Sequence, residues 1–372
     1  MKKLLLTLSA ALFLFAACEH PGSSNLPETK PTITAKNLPE KVLFAEINSD
    51  ADFKAFLDQK GVSSTEDLGK FVNKRIQKDY PGVTITAYTP KAGCSAFIAP
   101  SKDGGFYAGR NFDFSSAMVP NVMIIRNKPK NKDYASISTF NLGFVNFNFP
   151  EGMSDSDKNK IIARTGVFVP LDGVNEKGLV VAVLNQESKA ADNLTDEDTG
   201  KPNLTITSCV RLLLNKAATV EEAKELIKNY DLHSDIYQAH HLFVADATGK
   251  AAAFEWDNNN SDTSKIGLRI TDTNCVTNHP LYKKTDGVSD ETLNNDYGNS
   301  LSRYKTLKAT LDKGKALTFA EAKDLLHQVH QGTHSRWSIV YHLTPDYSEE
   351  TYWWEVSVDS NWKSDGYKFS VK

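Results

Sequence analysis

The sequence predicts an α+β fold, two antiparallel sheets with helices on their outer faces. Three features of the 372-residue chain point that way. Short alternating strands crowd the stretch after residue 94, capped amphipathic helices follow them, and strands return near the C-terminus. Blocks of strands and helices, rather than strict βα alternation, favour segregated layers over a parallel sheet. With 40% apolar and 10% aromatic residues the chain can build such a core, and it is neither disordered nor fibrous. A net charge of −3 offers no basic footprint, so nucleic acid is not expected as a partner.

The first element is a targeting segment. Met1-Lys2-Lys3 precedes the apolar stretch Leu4 to Ala17, the length of a signal h-region and short of the roughly 20 residues that span a bilayer. It ends Phe15-Ala16-Ala17-Cys18, which resembles the bacterial lipoprotein signal, with Phe15 where leucine is usual. Residues 1–17 are therefore expected to be removed, with Cys18 lipidated and the protein held to a membrane of the bacterial envelope, on its extracytoplasmic side. Residues 18–39, with Gly22, Ser23, Ser24 and prolines 21, 27, 31 and 39, read as a flexible tether.

Residues 40–93 read as a helical prosegment. Ser63 and Glu66 form a capping-box signature, and Leu68, Phe71, Val72 and Ile76 then fall on one face. Pro81-Gly82 stops the helix, and Val83 to Tyr88 alternates like a strand. Residues 95–99 and 106–109 flank the turn Pro100 to Gly105 and predict a hairpin. Further strands are expected at 121–126, 135–140, 165–170 and 178–184. Leu204 to Ala218 predicts a helix with Cys209, Leu212 and Leu213 on its apolar face, and a Thr219–Glu222 box opens the next. Residues 241–245 and 251–256 form a second hairpin. A helix opened by Thr318 and Glu321 precedes strands near 337–343 and 351–358. No internal repeat is present, so residues 94–372 read as one domain.

Four cysteines in so long a chain cannot make a disulfide scaffold. Cys94, in Gly93-Cys94-Ser95-Ala96, is the one with chemistry around it. The first hairpin turns Gly109-Arg110-Asn111-Phe112-Asp113 back beside it, and a cationic neighbour favours a thiolate. Read alone, Cys94 could equally be a small buried hydrophobe, and Arg110 with Asp113 a surface pair.

The ordered set of motifs is more specific. Cys94-Ser95 at a strand start, a hairpin and Gly109-Arg110-Asn111-Phe112-Asp113 together resemble the N-terminal-nucleophile (Ntn) amidohydrolases of the choloylglycine hydrolase type, the linear amide C–N hydrolases. Asp172 to Leu179 leading to Val183-Leu184-Asn185, then Val276-Thr277-Asn278-His279-Pro280, then Asn299 to Tyr304 continue the resemblance in order, over about residues 94–360. It implies a four-layer αββα sandwich. It also implies autocatalytic cleavage between Gly93 and Cys94, with the freed α-amine as general base for the Cys94 thiol. Arg110 and Arg303 would supply positive charge, Asp113 would orient the amine, and Asn185 and Asn278 would form the oxyanion hole. The implied substrate is a small N-acyl amide such as a conjugated bile salt, a fatty-acyl amide or a penicillin V-type compound, cleaved without any cofactor.

Residue by residue, simpler readings stand beside these: Asn185 as a strand end, Asn278-His279-Pro280 as a turn, Arg303 as a surface arginine. Cys209 and Cys275 read as buried thiols whose bridging is left open. His240 and His241 point to opposite faces of a strand, and no Cys/His spacing fits zinc, so no metal is expected. An acyltransferase, or a non-catalytic envelope lipoprotein that binds acyl amides, are the alternatives, and self-association into a homo-oligomer is left open. The chain departs from bile-salt hydrolases in carrying a long prosegment and in lacking Phe-Pro after Asn185.

Overall fold

The computed structural model describes residues 31–38, 42–87, 92–114, 122–186, 200–233, 239–258, 266–281, 299–344, 350–356 and 366–371. The expected signal segment, Cys18 and the first part of the tether lie outside them. The described chain forms the four-layer αββα sandwich.

The N-terminal part holds strands beside the helices that the sequence suggested. Strand β1 (Ile33–Asn37) lies within the expected tether and pairs antiparallel with β2 (Leu43–Ile47). Alternation explains β2: Ala45 and Ile47 face the helices, whereas Phe44 faces the second sheet and stacks on Phe369 at 5.0 Å. Helices α1 (Phe53–Asp58) and α2 (Thr65–Gln77) follow, then β3 (Thr84–Ala87). The cap of α2 falls one residue later than expected: Ser64 Oγ accepts from Asp67 N at 3.1 Å. The apolar face is as read, with Leu68, Phe71, Val72 and Ile76 all buried.

Strands β4 (Ala92–Pro100) and β5 (Phe106–Phe114) form the predicted hairpin, and β6 (Val122–Asn127), β7 (Ser136–Asn141) and β8 (Val145–Asn148) follow. The strand expected at 165–170 is instead the end of α3 (Asp155–Gly166) and the turn after it. Ser154 caps this helix, and Gly166 closes it against the sheet, where a Cβ would come within 2.5 Å of Ile125 Cδ1. Next come β9 (Asp172–Asn175), β10 (Val180–Gln186), β11 (Asn203–Thr205), α4 (Ile206–Lys216), α5 (Val220–Ile227) and β12 (Asp231–His233). A second hairpin, β13 (Ala239–Ala245) and β14 (Ala251–Asn258), leads to β15 (Ile266–Asp272) and β16 (Cys275–Val276). Helices α6 (Ser300–Leu311) and α7 (Phe319–Gln328) precede β17 (Ser335–Leu343), β18 (Glu350–Val356) and β19 (Tyr367–Ser370). The Thr318–Glu321 capping box at α7 is formed in full.

One sheet has nine strands in the order β1-β2-β6-β7-β9-β10-β13-β14-β15, the other six in the order β16-β4-β5-β17-β18-β19. Both are antiparallel except at β2–β6, which pair in parallel. Period-two alternation divides the core. Val180, Ala182, Leu184 and Phe243 of the large sheet meet Cys94, Ala96, Ile98 and Phe112 of the small one. Val181, Val183, Leu242 and Val244 face the other way, onto α2 to α5. Helices α6 and α7 cover the outer face of the small sheet through Leu307, Leu311, Leu325 and Leu326. Cys209 and Cys275 are free buried thiols in different layers, so they do not bridge. Among the described residues no helix is long and apolar enough to cross a membrane.

Candidate active site

The site forms at one end of the sandwich, where the apolar core between the sheets gives way to polar bridges. Hairpin register sets the first group: Gly93 lies opposite Asp113, Cys94 opposite Phe112, and Ala96 opposite Arg110. Arg110 therefore shares the inter-sheet face with Cys94, and Asp113 lies on the opposite face. Cys94 is 1% exposed. Burial pushes its thiol above the usual range, the Arg110 guanidinium pulls it back, and Asp113 adds to the upward push.

Arg110 is held in three directions. Its Nη2 donates to Val183 O of the large sheet at 2.7 Å, its Nη1 to Asn111 O, and its Nε lies 3.4 Å from Asp172 Oδ2. Asp172 is fully buried and is itself fixed by Trp337 Nε1 at 3.0 Å and by Thr139 Oγ1. Burial raises its carboxyl to about 6, against the pull of Arg110 and Trp337. Asp113 accepts from Gln331 Nε2 at 2.7 Å and from Ser335 Oγ.

The second group arrives from sequence 180 to 210 residues away. Strand β16 pairs with β4 through Val276 opposite Ala96, which carries Asn278 level with Cys94. Asn278 Oδ1 accepts from Cys94 N at 2.8 Å, and its Nδ2 donates to Asn185 O on β10 at 2.6 Å. Arg303, one turn into α6, donates to Cys94 O, to Ser95 Oγ at 2.8 Å and to Asn278 Oδ1 at 2.6 Å, with Asp113 Oδ2 4.0 Å away. Asn185 is 2% exposed, and its side-chain amide has no hydrogen-bond partner among the described residues.

Of the five residues singled out around Cys94 in the sequence, Arg110, Asp113, Asn278 and Arg303 thus meet it, and Asn185 joins the group through Asn278. Arg303 is a buried arginine and not a surface one. The Asn278 turn, held by Ser300 Oγ accepting from Asn278 N at 2.7 Å, lies inside the site rather than on the surface. His241 turns inward to Glu255, and among the described residues no group of three or more His, Cys, Asp or Glu is arranged to hold a metal. Sequence reasoning missed Asp172, Ser300, Gln331 and Ser335. Asp172 opens a quoted motif and Ser300 flanks Arg303, so both carried a signal; Gln331 and Ser335 carried none.

A family model for the linear amide C–N hydrolases, choloylglycine hydrolase family, matches residues 94–295, more than half of the chain. The chain belongs to this family. Its members are amide hydrolases, and the match begins at the residue on which the site converges. Among solved structures, a penicillin V acylase from Agrobacterium tumefaciens is 16% identical, with a TM-score of 0.48 over 71% of this chain and 83% of its own. A mutant of the conjugated bile acid hydrolase from Clostridium perfringens is 18% identical, with a TM-score of 0.48 over 75% of this chain and 98% of its own. No curated protein matches the chain in sequence.

Proposed function

We propose that this family member cuts its own Gly93–Cys94 bond and then uses Cys94 as the N-terminal nucleophile of a linear-amide hydrolase. The observation that carries the reading is that Arg110 and Asp113 act on one buried thiol while Asn278 and Arg303 bond the backbone of the same residue and Asn185 is tied to Asn278, all at the residue where the family match begins. Self-cleavage adds Cys94 Sγ to the Gly93 carbonyl carbon. The C–N bond breaks, the thiol proton passes to the departing nitrogen, and water then releases the Gly93 carboxylate. The new α-amine, with an ordinary pKa of about 7.7–8.0, is a far better base at neutral pH than the peptide nitrogen it replaces. It takes the thiol proton as Sγ attacks the substrate carbonyl. The acyl group stays on sulfur, the amine leaves with a proton, and water frees the acid.

The oxyanion would be received by the Asn185 backbone N–H and the Asn278 amide, which has a second N–H beyond the one given to Asn185 O. Asp113 would hold the α-ammonium, and the two arginines the negative sulfur. After the cut, the segment before Gly93 stays bound: β1 and β2 continue the large sheet, and Arg164 of α3 grips Asp52 and, at 2.9 Å, Asp79. The mature protein is anchored through lipidated Cys18 at the bacterial envelope, outside the cytoplasm.

Gly93 matters because a Cβ there would meet Gln331 Nε2 at 2.6 Å and disturb its bond to Asp113. Gly93→Val should slow self-cleavage roughly tenfold or more, about 1.4 kcal/mol of barrier, as read from the time course of chain splitting on denaturing gels. The reading as a whole is tested by intact mass and by acid release from glycine-conjugated bile acid, N-acylethanolamine, N-acyl amino acid and penicillin V. Two chains divided at Gly93–Cys94 and turnover of at least one amide are expected. An uncut chain that still hydrolyses these amides would sink the mechanism. Product partitioning that follows added amine would identify an acyltransferase instead.

A further inference from the structure

We infer that His241 and Glu255 form a positioning clamp that sets Asn278 for the reaction, a role resting on the assignment of Asn278 to the oxyanion site. The two residues are cross-strand partners on the β13–β14 hairpin, and both side chains are fully buried. His241 Nδ1 meets Glu255 Oε1 at 2.9 Å, and its Nε2 donates to Thr277 O at 2.6 Å. Glu255 also accepts from Leu281 N, at 2.9 Å through Oε1 and 3.2 Å through Oε2. The pair therefore takes hold of the 277–281 segment at both ends, and Asn278 lies between the two grips.

This bridge joins the sheets. His241 belongs to the large one, and Thr277 continues the edge strand of the small one. Ser300 completes the frame from the helix layer, accepting from Asn278 N and, at 2.8 Å, from His279 N. The carbonyl that His241 holds is the one bonded to the Asn278 nitrogen, so a shift at Thr277 O rotates the Asn278 peptide directly. Placing an acid and an imidazole in a fully buried slot is costly, and beyond satisfying Thr277 O and Leu281 N the pair gains little stability over apolar side chains of similar size. Stability alone does not account for the pair. Oxyanion donors, by contrast, must be held to within a fraction of an ångström to act.

The test uses the full chain and whichever of the four amides above is turned over fastest. His241→Leu/Glu255→Leu removes both partners together, so no lone buried charge remains. The double variant also leaves Thr277 O and Leu281 N short of a partner, so its melting temperature should fall; in the protein that remains folded KM should stay within about threefold while kcat falls about 10- to 100-fold. Glu255→Gln should recover most of that loss, because its amide can donate to His241 Nδ1 and accept from Leu281 N. Adding Asn278→Ala to the double variant should cost less than Asn278→Ala costs alone, as expected of residues acting through one another. Wild-type kcat in the double variant, or a loss of kcat that the unfolded fraction fully accounts for, overturns the clamp. An Asn278→Ala variant of full activity overturns instead the assignment on which the clamp rests.

Discussion

Cys94→Ala should yield a chain that stays whole and turns over no amide. In the proposed mechanism both reactions use the same sulfur: self-cleavage needs it to attack Gly93, and hydrolysis needs it to carry the acyl group. Loss of a covalent nucleophile costs on the order of 10⁴-fold or more in rate, about 5 kcal/mol. The fold should survive. Deleting one sulfur from a site that is 1% exposed leaves a small cavity costing about 1 kcal/mol. Intact mass, a urea titration and the release assay read the three quantities separately. An alanine variant that splits normally would remove Cys94 from the chemistry.

Asn278→Ala is the second large effect, and it acts on rate and stability together. The side chain accepts from Cys94 N and Arg303 Nη2 and donates to Asn185 O, so truncation leaves three buried polar groups short of a partner. At about 1–3 kcal/mol for each group left unsatisfied, the urea midpoint should fall clearly. Loss of one oxyanion donor should lower kcat about 10²- to 10³-fold in the protein that remains folded. KM should change far less, because the ground-state carbonyl draws little on that donor. A fall in KM-controlled binding with kcat preserved would make Asn278 a substrate-binding residue rather than an oxyanion donor.

How much of this was legible in the sequence depends on how local each feature is. The β4–β5 hairpin turns within its own segment, so placing Arg110 and Asp113 beside Cys94 needed only a turn and an alternation. Asn278 and Arg303 had no local signal of burial; the turn and the surface arginine were the sound residue-level readings. Their place was legible only from the order of motifs, and tertiary packing explains it: β16 pairs with β4, and α6 lies across both. Strands β1 and β2 were missed for the same reason. Five residues of β2 gain their strand character from a parallel partner some 80 residues away, a pairing that intrinsic propensity does not encode. At 165–170 the run Val167-Phe168-Val169 imitates a strand, yet Ser154 had already started a helix that ends against the sheet at Gly166. At α2 the cap is Ser64, with Asp67 at the third helical position, one residue beyond the Ser63–Glu66 signature.

The parallel β2–β6 pairing bears on the life history of the molecule. The leader is stitched into the large sheet and into the aromatic cluster where Phe53, Phe56 and Phe71 meet Phe168. While the chain is whole, these contacts form within one molecule and their assembly is independent of dilution. A cut at Gly93 would leave the native contacts intact but turn their re-formation into an encounter between two fragments. Without the leader, β6 would present a bare edge and the Phe168 side of the core would face water, both invitations to aggregation. The protein would then fold easily once and recover poorly from denaturation, its persistence set by how slowly it opens rather than by an equilibrium.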